Sequence, residues 1–202
     1  LSEPEGGGEP TEADADKAMQ LLEQASGTAS GVADRLHERV GAGILDRGFA
    51  RVAELRSAGN EGGAGAMARE RILPVAKKMV EWASSRRSPM LERFKLDRAE
   101  AMVESGEKGA GAEYKALAAH EADLPGRFVR VRLGWARALI LEGDRAGAFP
   151  HLLEVTKQLD AGEGGVRARE FWFAWMLMLE LLQEENHDGK RSGVIRANIK
   201  RL

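Results

Sequence analysis

Three short segments of the chain share one punctuation: AGNEGGAGA at 58–66, SGEKGAGA at 105–112 and EGDRAGAF at 142–149. Each has a glycine, then one or two charged or amide residues, then a run of small residues. The flanks of the second and third segments also agree. Ala99, Met102, Val103 and Gly106 correspond to Ala136, Leu139, Ile140 and Gly143 at an offset of 37, and beyond the turn Gly111, Ala112 and Leu117 correspond to Gly147, Ala148 and Leu153 at an offset of 36. Apolar positions that keep their distance from a repeated turn constrain the fold strongly. Each repeat is one supersecondary unit whose apolar side must be covered by the next. Glycine ending one helix supplies a left-handed cap without Cβ strain. An acid just after it, such as Asp144, can cap the following helix, and the small residues let two axes approach. The pattern therefore predicts helical hairpins repeated along the chain.

Composition agrees with an all-α fold. Strong helix formers (Ala, Leu, Arg, Glu) are plentiful, aromatic residues make up only 5 % of the 202 residues, and long period-2 alternations are absent. A hydrophobic share of 43 % against 31 % charged leaves enough to bury a core and solvate a surface. The net charge of −2 gives no global reason to expect nucleic acid or an anionic membrane as partner. The absence of cysteine excludes disulfides and thiolate chemistry. The longest apolar run, FWFAWMLML at Phe171–Leu179, is half the roughly 18 residues a spanning helix needs, so no membrane insertion is expected. The first residue is Leu1, which suggests a processed or excised chain and leaves its compartment open.

Along the chain, the Gly-, Pro- and Glu-rich residues 1–11 read as a flexible linker. Residues 12–202 read as a single helical repeat domain. A first helix is expected over 12–26 and a short second one ending at Gly41-Ala42-Gly43. A third is expected over Ile44–Arg56. Another stretch runs from 64 to 84, with a kink or break at Pro74. Further helices are expected at 90–104, 110–122, 128–141, up to Leu159, at 166–184, and from Val194 onward.

With the hairpins placed, Phe128–Asp160 resembles a tetratricopeptide repeat. It has a small residue in its first helix (Ala136), a large apolar one three later (Leu139), Gly143-Asp144 at the turn and Ala148 at the small position of the second helix. Residues 90–125 follow through Ala99, Met102, Gly106, Ala112 and Tyr114, while 44–84 and 166–202 match more weakly. Arg132 stands where the family has an aromatic residue, with Trp135 one turn later and expected to be buried between hairpins. Pro150 is expected to shift the start of the second helix. The resemblance implies a right-handed α-solenoid of stacked antiparallel hairpins. It also implies a protein–protein interaction scaffold that holds a partner on its concave face, with no catalytic centre or cofactor. An irregular α-bundle is the alternative fold.

By that resemblance, first helices line the groove. The groove candidates are Arg130 and Arg137, two turns apart on one face, with Leu133 between them and Arg93 and Glu100 on the preceding first helix. Two guanidinium groups suit an acidic peptide. The competing reading pairs both arginines with Asp97, Glu100 or Glu104. In REFWFAWMLMLELL (169–182), Trp172, Trp175, Met176 and Leu179 form one stripe and Phe171, Met178 and Leu182 another. A helix apolar almost all round is expected to be buried on most sides; the functional reading is a hydrophobic partner or dimer face.

Two other function classes stay open. A helical enzyme or metal-binding protein would need its His and acid residues to converge. His37 opens HERVG but lacks the second His four residues on that a zinc helix requires. His120 and His151 stand alone, and the acidic turn around His187 lacks the ligand spacing of a calcium loop. A nucleic-acid binder would use Arg127–Arg137 and the tail KRSGVIRANIKRL, which has five basic residues and no acid.

Overall fold

The structure, a computed structural model, describes residue 17 and residues 32–120, 127–160 and 167–184. The linker at 1–11, all of the helix expected at 12–26 except residue 17, the turn around His187 and the basic tail lie outside the described residues. Among the described residues every regular element is helical, and no helix is long and apolar enough to cross a membrane. Backbone contacts group the chain into two compact units, Leu1–Phe94 and Lys95–Leu202.

In the first unit, helix α1 (Val32–Ser57) runs without interruption, so the two helices expected around Gly41 and Gly43 are one. The glycines act here by closeness rather than as breakers. A Cβ on Gly41 would stand 2.4 Å from Met79 Sδ, and one on Gly48 would stand 2.9 Å from Ile72 Cγ1. Each interior glycine costs a helix up to about 1 kcal/mol, which the closer packing offsets.

The first punctuation is a turn, with Gly59 at φ 74° and Asn60 capping the next helix by accepting from the Gly63 N–H at 2.8 Å. Helix α2 (Glu61–Met67) continues through a π turn (Ala68–Ile72) into α3 (Leu73–Arg86). Pro74 does not break this helix. It has no N–H to give, and its ring would crowd the carbonyl four residues back. The backbone widens by one residue just before it, and the Leu73 N–H reaches five residues back to the Ala68 carbonyl. Leu45, Val52, Ala68, Ile72, Ala76, Met79 and Ala83 are buried in this unit.

α3 ends on Arg87, a left-handed cap at φ 51° without glycine. Replacing Arg87 by glycine is expected to stabilise the chain by about 0.5–1 kcal/mol, because the Cβ strain of that conformation is removed. A raised urea midpoint with an unchanged slope would show it.

The division between the units falls inside α4 (Leu91–Ser105). In the second unit follow α5 (Ala110–Ala119), α6 (Phe128–Glu142), α7 (Arg145–Gln158) and α8 (Arg169–Glu184). α6 packs on α5, α7 on α6 and α8 on α7. The second and third punctuation points are inter-helix turns, as the repeat predicts. Gly106, Gly109 and Gly143 have φ of 74°, 94° and 88°, and Asp144 caps α7 by accepting from the Gly147 N–H at 2.9 Å. Pro150 lies inside α7 without moving its start from Arg145; the Asp144 cap sets that start. The core joins Ala136, Ala148, Leu152, Val155, Ala174, Met178 and Leu181, drawn from α6, α7 and α8.

One cap crosses between hairpins. The Glu142 carboxylate, at the end of α6, accepts from the N–H groups of Gly109 (3.0 Å) and Gly111 (2.9 Å) at the start of α5. It supplies both the acceptor and the negative charge that a helix N-terminus favours. Glu142→Ala is expected to cost about 1–2 kcal/mol, read as a lower thermal midpoint, with Glu142→Gln recovering part of the loss.

Candidate functional site

In the second unit, α4, α5 and α6 converge on a cleft of about 390 Å³, large enough for one or two side chains. α6 presents Arg130, Leu133, Gly134 and Arg137 to it, the i, i+3, i+4, i+7 spacing of one helix face. α4 contributes Glu100 and α5 contributes Tyr114. Val129 and Leu159, both packed on the core, and Glu170, at the start of α8, complete the lining.

Gly134 brings these walls together. A Cβ there would stand 2.3 Å from Tyr114 Cζ and from its hydroxyl oxygen. The small residue that decides this approach is therefore Gly134, while Ala136, singled out from the repeat, lies in the core cluster. Tyr114 is 1 % exposed. Burial, with Glu100 close by, pushes the ionisation of its hydroxyl up, so the phenol stays neutral.

Both arginines are engaged. Arg130 Nε donates to Glu100 Oε2 at 2.6 Å and its Nη2 to Asp97 Oδ1 at 2.8 Å. Arg137 Nη2 lies 2.8 Å from Glu104 Oε1. Asp97, Glu100 and Glu104 follow one face of α4, so the arginines clamp α6 to α4. Asp97 and Glu104 are buried, with side chains 1 % and 6 % exposed. Burial pushes the Glu100 carboxyl above the usual carboxylate range. Arg130 pulls it part of the way back, and Glu104 and Asp97 add to the rise. Glu100 and Asp97 hold Arg130 firmly protonated despite its burial.

Of the groove candidates, Arg130, Leu133, Arg137 and Glu100 therefore share one cleft. Arg93 does not line it; it pairs with Asp46 of α1 in the first unit. The acidic-peptide expectation rested on two available guanidinium groups, and the buried acids of α4 already occupy both. Sequence reasoning missed Gly134 and the role of Tyr114. The available signal was a Leu-Gly pair in mid-helix, far from any turn.

The apolar stripes of α8 separate. Phe171, Met178 and Leu182 face the core with Ala174 and Leu181. Trp175 is half-buried against it, as is Leu179, while Trp172 (41 %) and Met176 (48 %) are exposed. The helix is thus not buried on most sides as expected; among the described residues, only α7 packs broadly against it. Arg167 lies over the rings of Phe171 and Trp172. Trp135 is half-buried within its own hairpin rather than between hairpins, stacked on His151 with centroids 4.0 Å apart. Burial, with Arg132 beside it, lowers the His151 pKa.

His37 is buried and stacked on Trp82 at 4.4 Å, and His120 is exposed. Among the described residues, no group of three His, Asp or Glu side chains is arranged to hold a metal ion. In comparisons with known proteins, no family model matches the chain, and no curated protein or solved structure matches it either.

Proposed function

We propose that the chain is a protein-interaction scaffold of the tetratricopeptide-repeat kind, and that the cleft of the second unit holds a short segment of a protein partner. On this reading α4–α5 and α6–α7 are successive hairpins of a right-handed α-solenoid, with α4 and α6 as the first helices that line its concave side. The observation that supports it is the joint placement of Glu100, Arg130, Leu133 and Arg137, from two consecutive first helices, around one cleft. Its size lies near the lower end of small-ligand sites, and its walls combine apolar side chains with a few charged groups, as a site for a peptide side chain requires.

The test is site-specific photo-crosslinking in extract of the native source. A benzophenone amino acid replaces Leu159 at the cleft or, as control, the exposed Lys115 on α5. A protein captured through position 159 and not through 115 supports the reading. The same pattern from both positions, or none from 159, would rule the cleft out as the partner site.

A further inference from the structure

We propose that α8 is the seat of a homodimer, in which two copies of the chain pair antiparallel through Trp172, Met176 and Leu179. Such a dimer is independent of what the cleft holds.

Helix periodicity makes the stripe. Arg169, Trp172, Met176, Leu179 and Gln183 recur at spacings of three, four, three and four, so they share one face of α8, opposite the face that meets the core. Four large hydrophobic side chains are exposed among the described residues: Leu36, Leu141, Trp172 and Met176. Of these, Trp172 and Met176 lie one turn apart on the same helix, and half-buried Leu179 follows one turn on. Neighbouring exposed apolar groups mark an interaction surface, whereas single ones are ordinary. Trp172 is exposed yet held in place. The Arg167 guanidinium lies 5.9 Å over its ring, and Phe171 meets it edge to face at 5.3 Å. An anchor already fixed loses little entropy on docking, and methionine adapts its shape to the facing surface.

Charge selects a second copy as the occupant and sets its direction. Arg167 and Glu184, at the two ends of the helix, are paired within the chain with Asp160 and Arg145. Arg169 borders the stripe on one side of Met176 and Glu180 on the other, both exposed. A partner of one charge sign would suit only one end. A two-fold interface must be self-complementary, and this stripe is. Two antiparallel copies of α8 that cross at Met176 lay Trp172 of each over Leu179 of the other and bring Arg169 of each to Glu180 of the other. At 1.5 Å per residue, Arg169 lies about 10.5 Å from the crossing point and the other copy's Glu180 about 6 Å in the same direction. The two groups are then about 4.5 Å apart along the axis, within reach of their side chains. A parallel pair would set like charges against each other at both ends.

Sedimentation equilibrium of the full chain tests this. The mass is expected to rise from 22.0 kDa toward twice that value between about 1 and about 300 μM, the range in which an interface below the standard size associates. Met176→Glu, at an exposed position, sets two carboxylates at the crossing point. It is expected to weaken association at least about thirtyfold while leaving the circular dichroism melt at about 1 μM unchanged. Arg169→Glu alone and Glu180→Arg alone are each expected to weaken it about threefold to tenfold, and the two together to restore it.

A 22.0 kDa monomer at every concentration would overturn the proposal, as would a dimer that Met176→Glu leaves intact. Single reversals without effect would overturn the antiparallel pairing. The chain has no cysteine of its own, so thiol labelling of a monomeric Met176→Cys variant tells why no dimer forms: slow labelling means that another segment of the same chain covers the stripe, and fast labelling that the stripe is bare.

Discussion

The double exchange Arg130→Glu/Arg137→Glu is expected to destabilise the chain by at least about 5 kcal/mol, enough to abolish cooperative unfolding of the second unit at neutral pH. Removing one partner of a buried ion pair costs about 3–5 kcal/mol. The side chain of Arg130 is 36 % exposed and that of Arg137 22 %, which reduces each loss to roughly 2–3 kcal/mol. The exchange then adds repulsion, setting five carboxylates together. Total stabilities of about 5–15 kcal/mol leave little in reserve.

The pH dependence identifies the cause. Clustered like charges raise carboxyl pKa values in the folded state above their unfolded values. Stability tied to that shift is present at low pH and lost as pH rises, so the variant regains structure as pH falls from about 7 to 4. Circular dichroism melts at both ends of that range would show it. A midpoint equally low at both would mean that lost packing, not charge, is responsible. Arg130→Lys keeps the charge but cannot reach two acids with one planar fork, and should cost only about 1–2 kcal/mol.

Gly134→Ala is the second large effect. Alanine is favoured over glycine in a helix by about 1 kcal/mol, so propensity alone predicts stabilisation. The structure predicts the opposite. The new Cβ would stand 2.3 Å from Tyr114 Cζ and 2.5 Å from Cε1, and the ring is almost fully buried. Overpacking of this kind costs about 1–3 kcal/mol or more, for a net loss of about 2 kcal/mol.

A double-mutant cycle separates the two contributions. On a Tyr114→Ala background, itself worth about 3–5 kcal/mol, the same Gly134→Ala change should be neutral or slightly stabilising, giving a coupling of about 2–3 kcal/mol. Urea denaturation of the four proteins measures it. No penalty in the first background would mean that the ring swings into the cleft to make room.

Two kinds of information divide the account of this chain. What is local was legible in the sequence. Helix-forming residues at helical spacing set the all-α class, and a glycine followed by an acid marked the turns at Gly106 and Gly143, because a left-handed backbone and an N-cap depend on neighbours within a few residues. What depends on a distant neighbour was not legible. Gly41 and Gly43 carry the same residue type as the turns yet lie inside α1, where a Cβ on Gly41 would stand 2.4 Å from Met79 Sδ. Pro74 reads as a break, but a π turn absorbs it.

The same division runs through the cleft and α8. The sequence placed Arg130 and Arg137 on one helix face and the three acids on another. Only the packing of α6 beside α4 decided that they pair with one another. Periodicity wrote two apolar stripes on α8, and the packing of α7 chose which to bury, leaving Trp172 and Met176 in solvent. Dihedral preferences and capping are written residue by residue, whereas burial, charge balance and close approach belong to pairs of helices and exist only once those helices are packed.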